Sequence, residues 1–225
     1  TLGYSNEEIN NKVFEQLEKG VTFSLPNKIE LEVARIIIDL VPSVEMVRFG
    51  KNGTDVTSAA IRLARAYTGR DHVLVCGYHG WQDWYIGSTT RGLGVPDVVK
   101  KLTHKFEYNN IQNLRELLDK YKGRVAAVIM EPMNVNWPVG NYLQEVESVT
   151  KQSGALFILD EIITGFRYAK GGAQELFGLT PDLTVFGKGI ANGFPLSVLS
   201  GRREVMAMVE DIFFSGTFGG ETLSL

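Results

Sequence analysis

Two charged side chains that could carry covalent and acid–base chemistry follow two apolar runs. Asp160 comes directly after ALFIL at 155–159, and Lys188 comes directly after LTVFG at 183–187. Both runs lack polar alternation and contain β-branched and aromatic residues, which predicts strands buried on both faces. The 28 residues from Asp160 to Lys188 leave room for one crossover between neighbouring parallel strands. We therefore expect a carboxylate and an amine at one edge of a sheet, where open α/β sheets bind ligands.

Other predicted strands also end in polar or glycine-rich groups. Five groups share this position: the turn GKNGT after a strand at 44–49, Tyr78-His79 after 72–77, Glu131 after 125–130, Asp160 and Lys188. Because the carboxyl ends of parallel strands meet at one edge, we expect these groups to converge. Such a rim predicts a cofactor site.

The four kinds of group at this edge are those that pyridoxal phosphate requires. Its aldehyde needs an amine for a Schiff base, and its pyridine nitrogen needs an anionic partner to stay protonated. Its phosphate suits a helix N-terminus, and an aromatic side chain can cover its ring. The pattern predicts pyridoxal 5'-phosphate as the cofactor, with Lys188 and Asp160 as catalytic residues.

Strands alternate with helices along the whole chain, which predicts an α/β fold with a mostly parallel central sheet and helices on both faces. The sequence PLSVLSG after Lys188 suggests one reversed strand. Ser5 and Glu8 have the spacing of a capping box. Further helices are predicted at about 28–41, 56–67, 110–121 and 142–153. Residues 81–109 are expected to form a long active-site loop with one short helix.

Composition disfavours several classes of partner. The net charge is -3, from 23 basic and 26 acidic residues, with no basic run that would bind nucleic acid or a membrane surface. No apolar stretch approaches the ~20 residues of a membrane span. Cys76 is the only cysteine, so an intrachain disulfide is excluded and a cytoplasmic location is expected. The three histidines lack metal-ligand spacing, and no metal site is predicted.

Seven segments, spread over nearly all 225 residues, carry a family resemblance. They are GVTFSLPNKIELEVA, NGTDVTSAAIRLARAYTGRD, YHGWQD, EP, LDEIITGFR, TPDLTVFGKGIANGFPLS and GTFGG. With these the chain resembles the class-III pyridoxal-phosphate aminotransferases, most closely the branch that contains glutamate-1-semialdehyde aminomutase. The resemblance implies the major domain of a PLP-dependent transferase of fold type I, the aspartate aminotransferase-like fold.

The resemblance also implies a role for each matching site residue. Lys188 would form the Schiff base and Asp160 would pair with the pyridinium nitrogen. Ile162 would pack beneath the ring while Tyr78 covers its other face. The cofactor-binding set implied at the strand ends is Gly53, Thr54, Tyr78, His79, Glu131, Asp160, Ile162 and Lys188, with Gly53 and Thr54 at the phosphate.

Family members are homodimers with shared active sites, and the resemblance implies the same here. Thr217 in SGTFGG would contact the cofactor phosphate of the neighbouring subunit. Family chains extend before Thr1 and after Leu225, and those ends build a small domain. Because the sequence begins at Thr1 and not at Met, we expect a fragment in which residues 1–225 form a single major domain, with residues 1–40 as a helical lead-in.

Three positions depart from or refine the family pattern. Asn52-Gly53-Thr54-Asp55-Val56 stands where Ser-Gly-Thr-Glu-Ala is usual, and backbone N–H groups should still bind phosphate. Glu221-Thr222 follows GTFGG where Asn-Pro is common, which puts the next helix and substrate contacts in question. Ile163 stands where ornithine- and aminobutyrate-type members have Gln, which favours the aminomutase-like branch.

Three functions stay open at this point. The first is an aminotransferase that moves an amino group between an amino donor and a keto or aldehyde acceptor. The second is the aminomutase, which exchanges amine and carbonyl within one molecule. The loop EPMNVNWPVG at 131–140 differs from that enzyme's, so a general aminotransferase, on a sugar or keto acid, comes first. The third is an inactive or cofactor-binding-only fragment.

Structural alternatives exist for the same residues. Asp160 could cap a turn, Lys188 could be a solvated loop lysine, and Tyr78 could be a core residue. Glu131 could belong to a structural turn with Pro132, and Thr217 could cap a surface turn. A nucleotide-binding P-loop at Lys188 is excluded, since the motif needs Gly at 182 and Ser or Thr at 189, where the chain has Asp and Gly.

Overall fold

The computed structural model describes residues 2–225, and its strands form one seven-stranded sheet. The strands are β1 (Met46–Gly50), β2 (His72–Cys76), β3 (Thr103–Lys105), β4 (Val125–Met130), β5 (Leu156–Glu161), β6 (Leu183–Phe186) and β7 (Ser197–Gly201). Their order across the sheet is β1-β7-β6-β5-β4-β2-β3. Strands β2 to β6 pair in parallel, whereas β7 is antiparallel to both of its neighbours. The mostly parallel sheet and the reversed strand are both confirmed.

Helices cover both faces of the sheet, as predicted. They are α1 (Glu7–Leu17), α2 (Lys28–Leu40), α3 (Gly53–Thr68), α4 (Asp83–Ile86), α5 (Asp97–Lys100), α6 (Ile111–Lys120), α7 (Tyr142–Gln152), α8 (Ala173–Phe177) and α9 (Arg203–Met206). Apolar residues of α3 and α9 form a core against one face. Those of α6 and α7 form a second core against the other.

The central strands lack alternation because both of their faces are buried. Every residue of β4 and β5 is buried. Ile129 and Ile158 pack in the core on the α3 side, whereas Val128 and Phe157 pack in the core on the α6 and α7 side. Two-sided burial removes the pattern of polar and apolar residues that marks a half-exposed strand.

Two helix N-termini differ from the prediction. Helix α3 begins at Gly53 and not near Val56, since the Asp55 carboxylate accepts a hydrogen bond from the Asn52 N–H at 2.7 Å and closes the first turn. The turn GKNGT therefore leads directly into a helix N-terminus. The predicted capping box of Ser5 and Glu8 is wrong, because α1 is capped by Asn6, whose side chain accepts the Ile9 N–H at 3.1 Å.

Residues 81–109 contain more regular structure than a loop with one helix. They hold the short helices α4 and α5 and the edge strand β3, which pairs in parallel with β2. Trp84 anchors this segment, because it is buried in the core and its indole N–H donates to the Ser58 hydroxyl at 3.0 Å. The Thr103 hydroxyl in turn donates to the Trp84 carbonyl. These contacts join residues far apart in the sequence, so local sequence patterns do not predict them.

The first two helices lie at the edge of the core. Helix α1 contains no buried residue, and its Phe14 and Leu17 are exposed. Helix α2 buries only Ile37. Among residues 2–225, no helix has both the length and the apolar character needed to cross a membrane.

Candidate active site

A cleft of about 650 Å³ opens at the carboxyl ends of the parallel strands. It brings together eight of the residues named from the sequence, namely Gly53, Thr54, Tyr78, His79, Glu131, Asp160, Ile162 and Lys188. Thr217 is exposed and does not line this cleft. The cleft is also lined by residues that the sequence did not single out, among them Lys51, Trp81 and Phe194.

The N-terminus of α3 forms one end of the cleft. Its first turn supplies Gly53 and Thr54, and within the described chain the buried Thr54 hydroxyl has no hydrogen-bond partner. A Cβ on Gly80 would lie 2.5 Å from that hydroxyl, so only glycine lets the two segments approach this closely. A helix N-terminus with free N–H groups and an unpartnered hydroxyl is suited to an anion.

Ile162 lies between this turn and the end of β6. Cβ atoms on Gly53 and Gly187 would lie 3.1 and 3.0 Å from its Cδ1 atom. Both neighbours are glycines, so the isoleucine side chain fits between the two backbone segments at the floor of the cleft. An apolar side chain here can support the face of a flat ring, as the resemblance implies.

Asp160 is held in one orientation at the end of β5, where it lies inside the strand and not after it. It is only 2% exposed, and its Oδ2 atom lies 2.7 Å from Nδ1 of His79. Its Oδ1 atom accepts the Ile162 N–H at 3.0 Å. Across residues 2–225, the buried Nε2 atom of His79 has no hydrogen-bond partner. The carboxylate is thus braced on both oxygens by groups that line the cleft.

Lys188 begins a one-turn 3₁₀ helix, separated from the end of β6 only by Gly187. Its φ of 44° lies in the left-handed region, which a residue with a side chain rarely adopts. Such backbone strain tends to occur at functional sites, where the surrounding structure imposes it. The side chain is exposed yet lines the cleft, on the same rim as Asp160.

Glu131 shapes the turn that carries Tyr78. Its carboxylate accepts the Tyr78 N–H at 3.0 Å and the Asn134 side-chain amide at 3.2 Å. Gly77 has a φ of 111°, and a Cβ there would lie 2.5 Å from Oε2 of Glu131. Glu131 therefore stabilises the turn that carries Tyr78, and it also lines the cleft. Tyr78 is 57% exposed, which excludes the core alternative for this ring.

Burial is the main cause of the raised pKa values of Cys76 and Tyr85, which lie near the cleft. Burial, and then the charge of Glu131, raises the pKa of the Cys76 thiol to about 12. The same two causes raise the pKa of the Tyr85 hydroxyl, which donates to the Gly77 carbonyl, to about 12. Both groups stay protonated at neutral pH. In the described residues, no group of three His, Cys, Asp or Glu side chains is placed to hold a metal ion.

Glu161 is a site-supporting residue that the sequence analysis missed. It is fully buried next to Asp160, and its carboxylate accepts the N–H groups of Ala173 and Gln174 at 2.7 and 2.9 Å. It also accepts the Thr164 hydroxyl at 2.9 Å. Burial raises the pKa of Glu161, and these hydrogen bonds oppose the rise. The only feature of the sequence that points to Glu161 is its position in LDE. Its hydrogen-bond partners lie up to 13 residues away, so the local pattern does not reveal them.

Comparisons with known proteins identify the family. The family model Aminotransferase class-III matches residues 1–225. The glutamate-1-semialdehyde 2,1-aminomutase of Archaeoglobus fulgidus is 41% identical over 242 residues, which cover 100% of this chain and 57% of that protein. The corresponding enzyme of Aquifex aeolicus is 39% identical with the same coverage.

Solved structures are similar over almost the whole chain. An omega-transaminase from Sphaerobacter thermophilus superposes with a TM-score of 0.89 at 31% identity, covering 99% of this chain and 57% of that one. A glutamate-1-semialdehyde aminomutase from Pseudomonas aeruginosa superposes with a TM-score of 0.86 at 25% identity, covering 99% of this chain and 55% of that one. The chain thus spans a little more than half the length of its relatives. It belongs to the class-III aminotransferase family.

Proposed function

We propose that the protein is a pyridoxal-phosphate-dependent aminotransferase that moves an amino group between an amino donor and a keto or aldehyde acceptor. The observation that carries this proposal is a single cleft that holds a lysine amine, a buried carboxylate and a helix N-terminus. Family membership supports the reaction class, and the amino donor and the acceptor are its small-molecule partners.

The cleft has features that fit pyridoxal phosphate. Its volume lies within the roughly 300–1,000 Å³ typical of small-molecule sites. The buried Thr54 hydroxyl, unpartnered within residues 2–225, lies at the first turn of α3, where a phosphate would accept hydrogen bonds from it and from the helix N–H groups. When bound, the cofactor supplies an aldehyde carbon that takes up the amino group and a ring that accepts electrons.

We assign a role in binding or catalysis with the cofactor to several residues that line the cleft. Lys188 would hold the cofactor covalently through its amine and, once released by an amino donor, would move a proton at the substrate carbon. Asp160, braced by His79, would hold a proton at the pyridine nitrogen. Ile162 and Tyr78 would contact the two ring faces, and Glu131, which accepts the Tyr78 N–H, positions Tyr78.

An aminomutase is the second candidate, because the two curated relatives reported above are glutamate-1-semialdehyde 2,1-aminomutases at about 40% identity. The two activities differ in what they need. An aminotransferase needs a separate donor and acceptor, whereas an aminomutase exchanges the amine and the carbonyl within one molecule of glutamate-1-semialdehyde and needs neither. A cofactor-binding-only fragment, the third alternative, would do neither reaction.

A half-reaction screen separates these functions. The complete natural protein is loaded with pyridoxal phosphate and mixed with a panel of amino donors, and the cofactor absorbance is followed. An aminotransferase bleaches the absorbance with at least one donor and releases the matching keto product. Turnover of glutamate-1-semialdehyde alone supports the aminomutase. A protein that binds the cofactor but responds to neither contradicts both enzymatic proposals.

We also propose a homodimer with shared active sites. Thr217 is exposed in a glycine-rich turn and does not line its own chain's cleft, which leaves it free to serve a neighbouring site. The exposed Phe14 and Leu17 of α1 add apolar surface of the kind that subunit interfaces cover.

The free thiol of Cys76 supports a cytoplasmic location.

A further inference from the structure

Glu221, one of the departures from the family pattern, contacts the turn before α3 in the folded chain. Lys51, in the turn before α3, lies 2.7 Å from Oε1 of Glu221, which follows the GTFGG turn. The two residues are 170 positions apart, and their side chains are only 16% and 11% exposed. This ion pair is therefore well shielded from water, unlike the exposed pair Lys12–Glu15 on α1.

Glu221 also organises the segment that follows it. Its carboxylate accepts the Leu223 N–H at 3.0 Å and the Ser224 hydroxyl. The next residue, Thr222, donates its N–H to the Val21 carbonyl at 2.9 Å. Residues 221–224 are thus tied to the segment after α1, and Glu221 connects that anchored segment to Lys51.

Lys51 is placed to transmit this anchoring to the proposed phosphate site. It lines the cleft and directly precedes Asn52, the N-cap of α3, whose first turn contains Gly53 and Thr54. Burial raises the pKa of Glu221, but the hydrogen bonds from Lys51, Ser224 and the Leu223 N–H, together with the charge of Lys51, lower it overall. Removing one partner of this shielded ion pair would leave the other charge without compensation.

We propose that Lys51 and Glu221 are positioning residues for the cofactor phosphate: their ion pair holds the turn before α3 against the anchored segment 221–224. The inference rests on the proposed function. It differs from a direct role for Lys51, in which its ammonium would attract the phosphate and Glu221 would only weaken that attraction. The two accounts predict opposite effects of neutralising Glu221.

The test compares two ligands that differ only in the phosphate. Dissociation constants of pyridoxal phosphate and of pyridoxal are measured by absorbance for the complete natural protein and for Lys51→Met, Glu221→Gln and the double variant. Each single variant should bind pyridoxal phosphate about tenfold more weakly, with pyridoxal binding unchanged. The double variant should lose no more than either single variant, because it leaves no uncompensated charge.

Two controls accompany these variants. Lys51→Arg keeps the ion pair and should bind pyridoxal phosphate nearly as the natural protein does. Lys100→Gln removes the ion pair of Lys100 with Asp97 on α5, which is more exposed than the Lys51–Glu221 pair and does not line the cleft, and should change neither constant. If Lys51→Met does not fold, Glu221→Gln carries the same prediction by itself.

Several results would overturn the inference. Tighter binding of pyridoxal phosphate by Glu221→Gln would show that Lys51 acts directly on the phosphate. Equal weakening of both ligands, or additive losses in the double variant, would show a general structural role. Unchanged constants in variants of a protein that binds the cofactor would refute the inference alone. A natural protein that binds no pyridoxal phosphate would instead refute the proposed function.

Discussion

At the scale of single residues, the site depends on contacts between side chains that are far apart in the sequence. The sequence shows each of these residues but not which residues are in contact. The positions of Asp160 and Lys188 after apolar runs predicted that they would share a sheet edge, and both line one cleft. The contact of Asp160 with His79 was not predictable, because it joins residues 81 positions apart. Side-chain pairing of this kind depends on the pairing of β2 with β4 and of β4 with β5, which local patterns do not encode.

Neutralising Asp160 tests its electrostatic role. Asp160→Asn keeps the shape and can still accept the Ile162 N–H, but it carries no negative charge to hold a proton at the pyridine nitrogen. The covalent adduct with the cofactor should still form, while amino-group transfer slows by about a hundredfold or more. Stopped-flow absorbance after addition of an amino donor measures the rate. Asp119→Asn, at an exposed position of α6, is the control and should transfer amino groups at the natural rate. Near-normal transfer in Asp160→Asn would mean that Asp160 has only a structural role as a cap.

At the scale of elements, most strand and helix bounds were predicted to within two residues, and the start of α3 was the largest error. The buried strand β4 has the predicted bounds, and β2 and β6 each end one residue earlier than expected. The start of α3 was misplaced because the glycine and polar residues of NGTD resemble a turn, whereas Asp55 makes them the first helical turn. The 81–109 segment was misread because its order comes from the buried Trp84 and not from local periodicity.

Glu161 provides a stability prediction for the segment between β5 and β6. Its carboxylate accepts hydrogen bonds from four donors, two of which are N–H groups at the start of α8. Glu161→Gln replaces one acceptor oxygen with a donor amide, which leaves buried N–H groups unsatisfied. The free energy of unfolding should fall by about 1–3 kcal/mol.

Urea unfolding followed by circular dichroism measures this loss. Glu116→Gln, at an exposed position of α6, should change the free energy of unfolding by less than about 0.5 kcal/mol. An equal, small effect of both substitutions would mean that the Glu161 carboxylate does not hold this segment.

At the scale of the whole molecule, the mostly parallel sheet places five strand ends on one rim. The alternation of strands and helices predicted this arrangement, because parallel strands connected by crossovers align their carboxyl ends. The contact between Lys51 and Glu221 and the anchoring of residues 221–224 were not predictable. They join residues 170 and 201 positions apart in sequence, so their geometry depends on the complete fold.

Mixing two inactive variants tests whether the proposed dimer shares its sites. If Thr217 serves the neighbouring site, hybrids of Lys188→Ala and Thr217→Ala chains contain one doubly damaged site and one intact site. Activity should then rise above that of either variant alone, measured after co-refolding, with hybrids quantified by differently tagged chains. No recovery in demonstrated hybrids would place Thr217 at its own chain's site or at none.

The most direct test of the central claim is to locate the covalent bond to the cofactor. The complete natural protein is incubated with pyridoxal phosphate, reduced with borohydride and digested, and the modified peptide is sequenced by mass spectrometry. One stable adduct is expected on Lys188, and it should be lost in Lys188→Ala. An adduct that persists in that variant and maps to another lysine, such as Lys51, would contradict it.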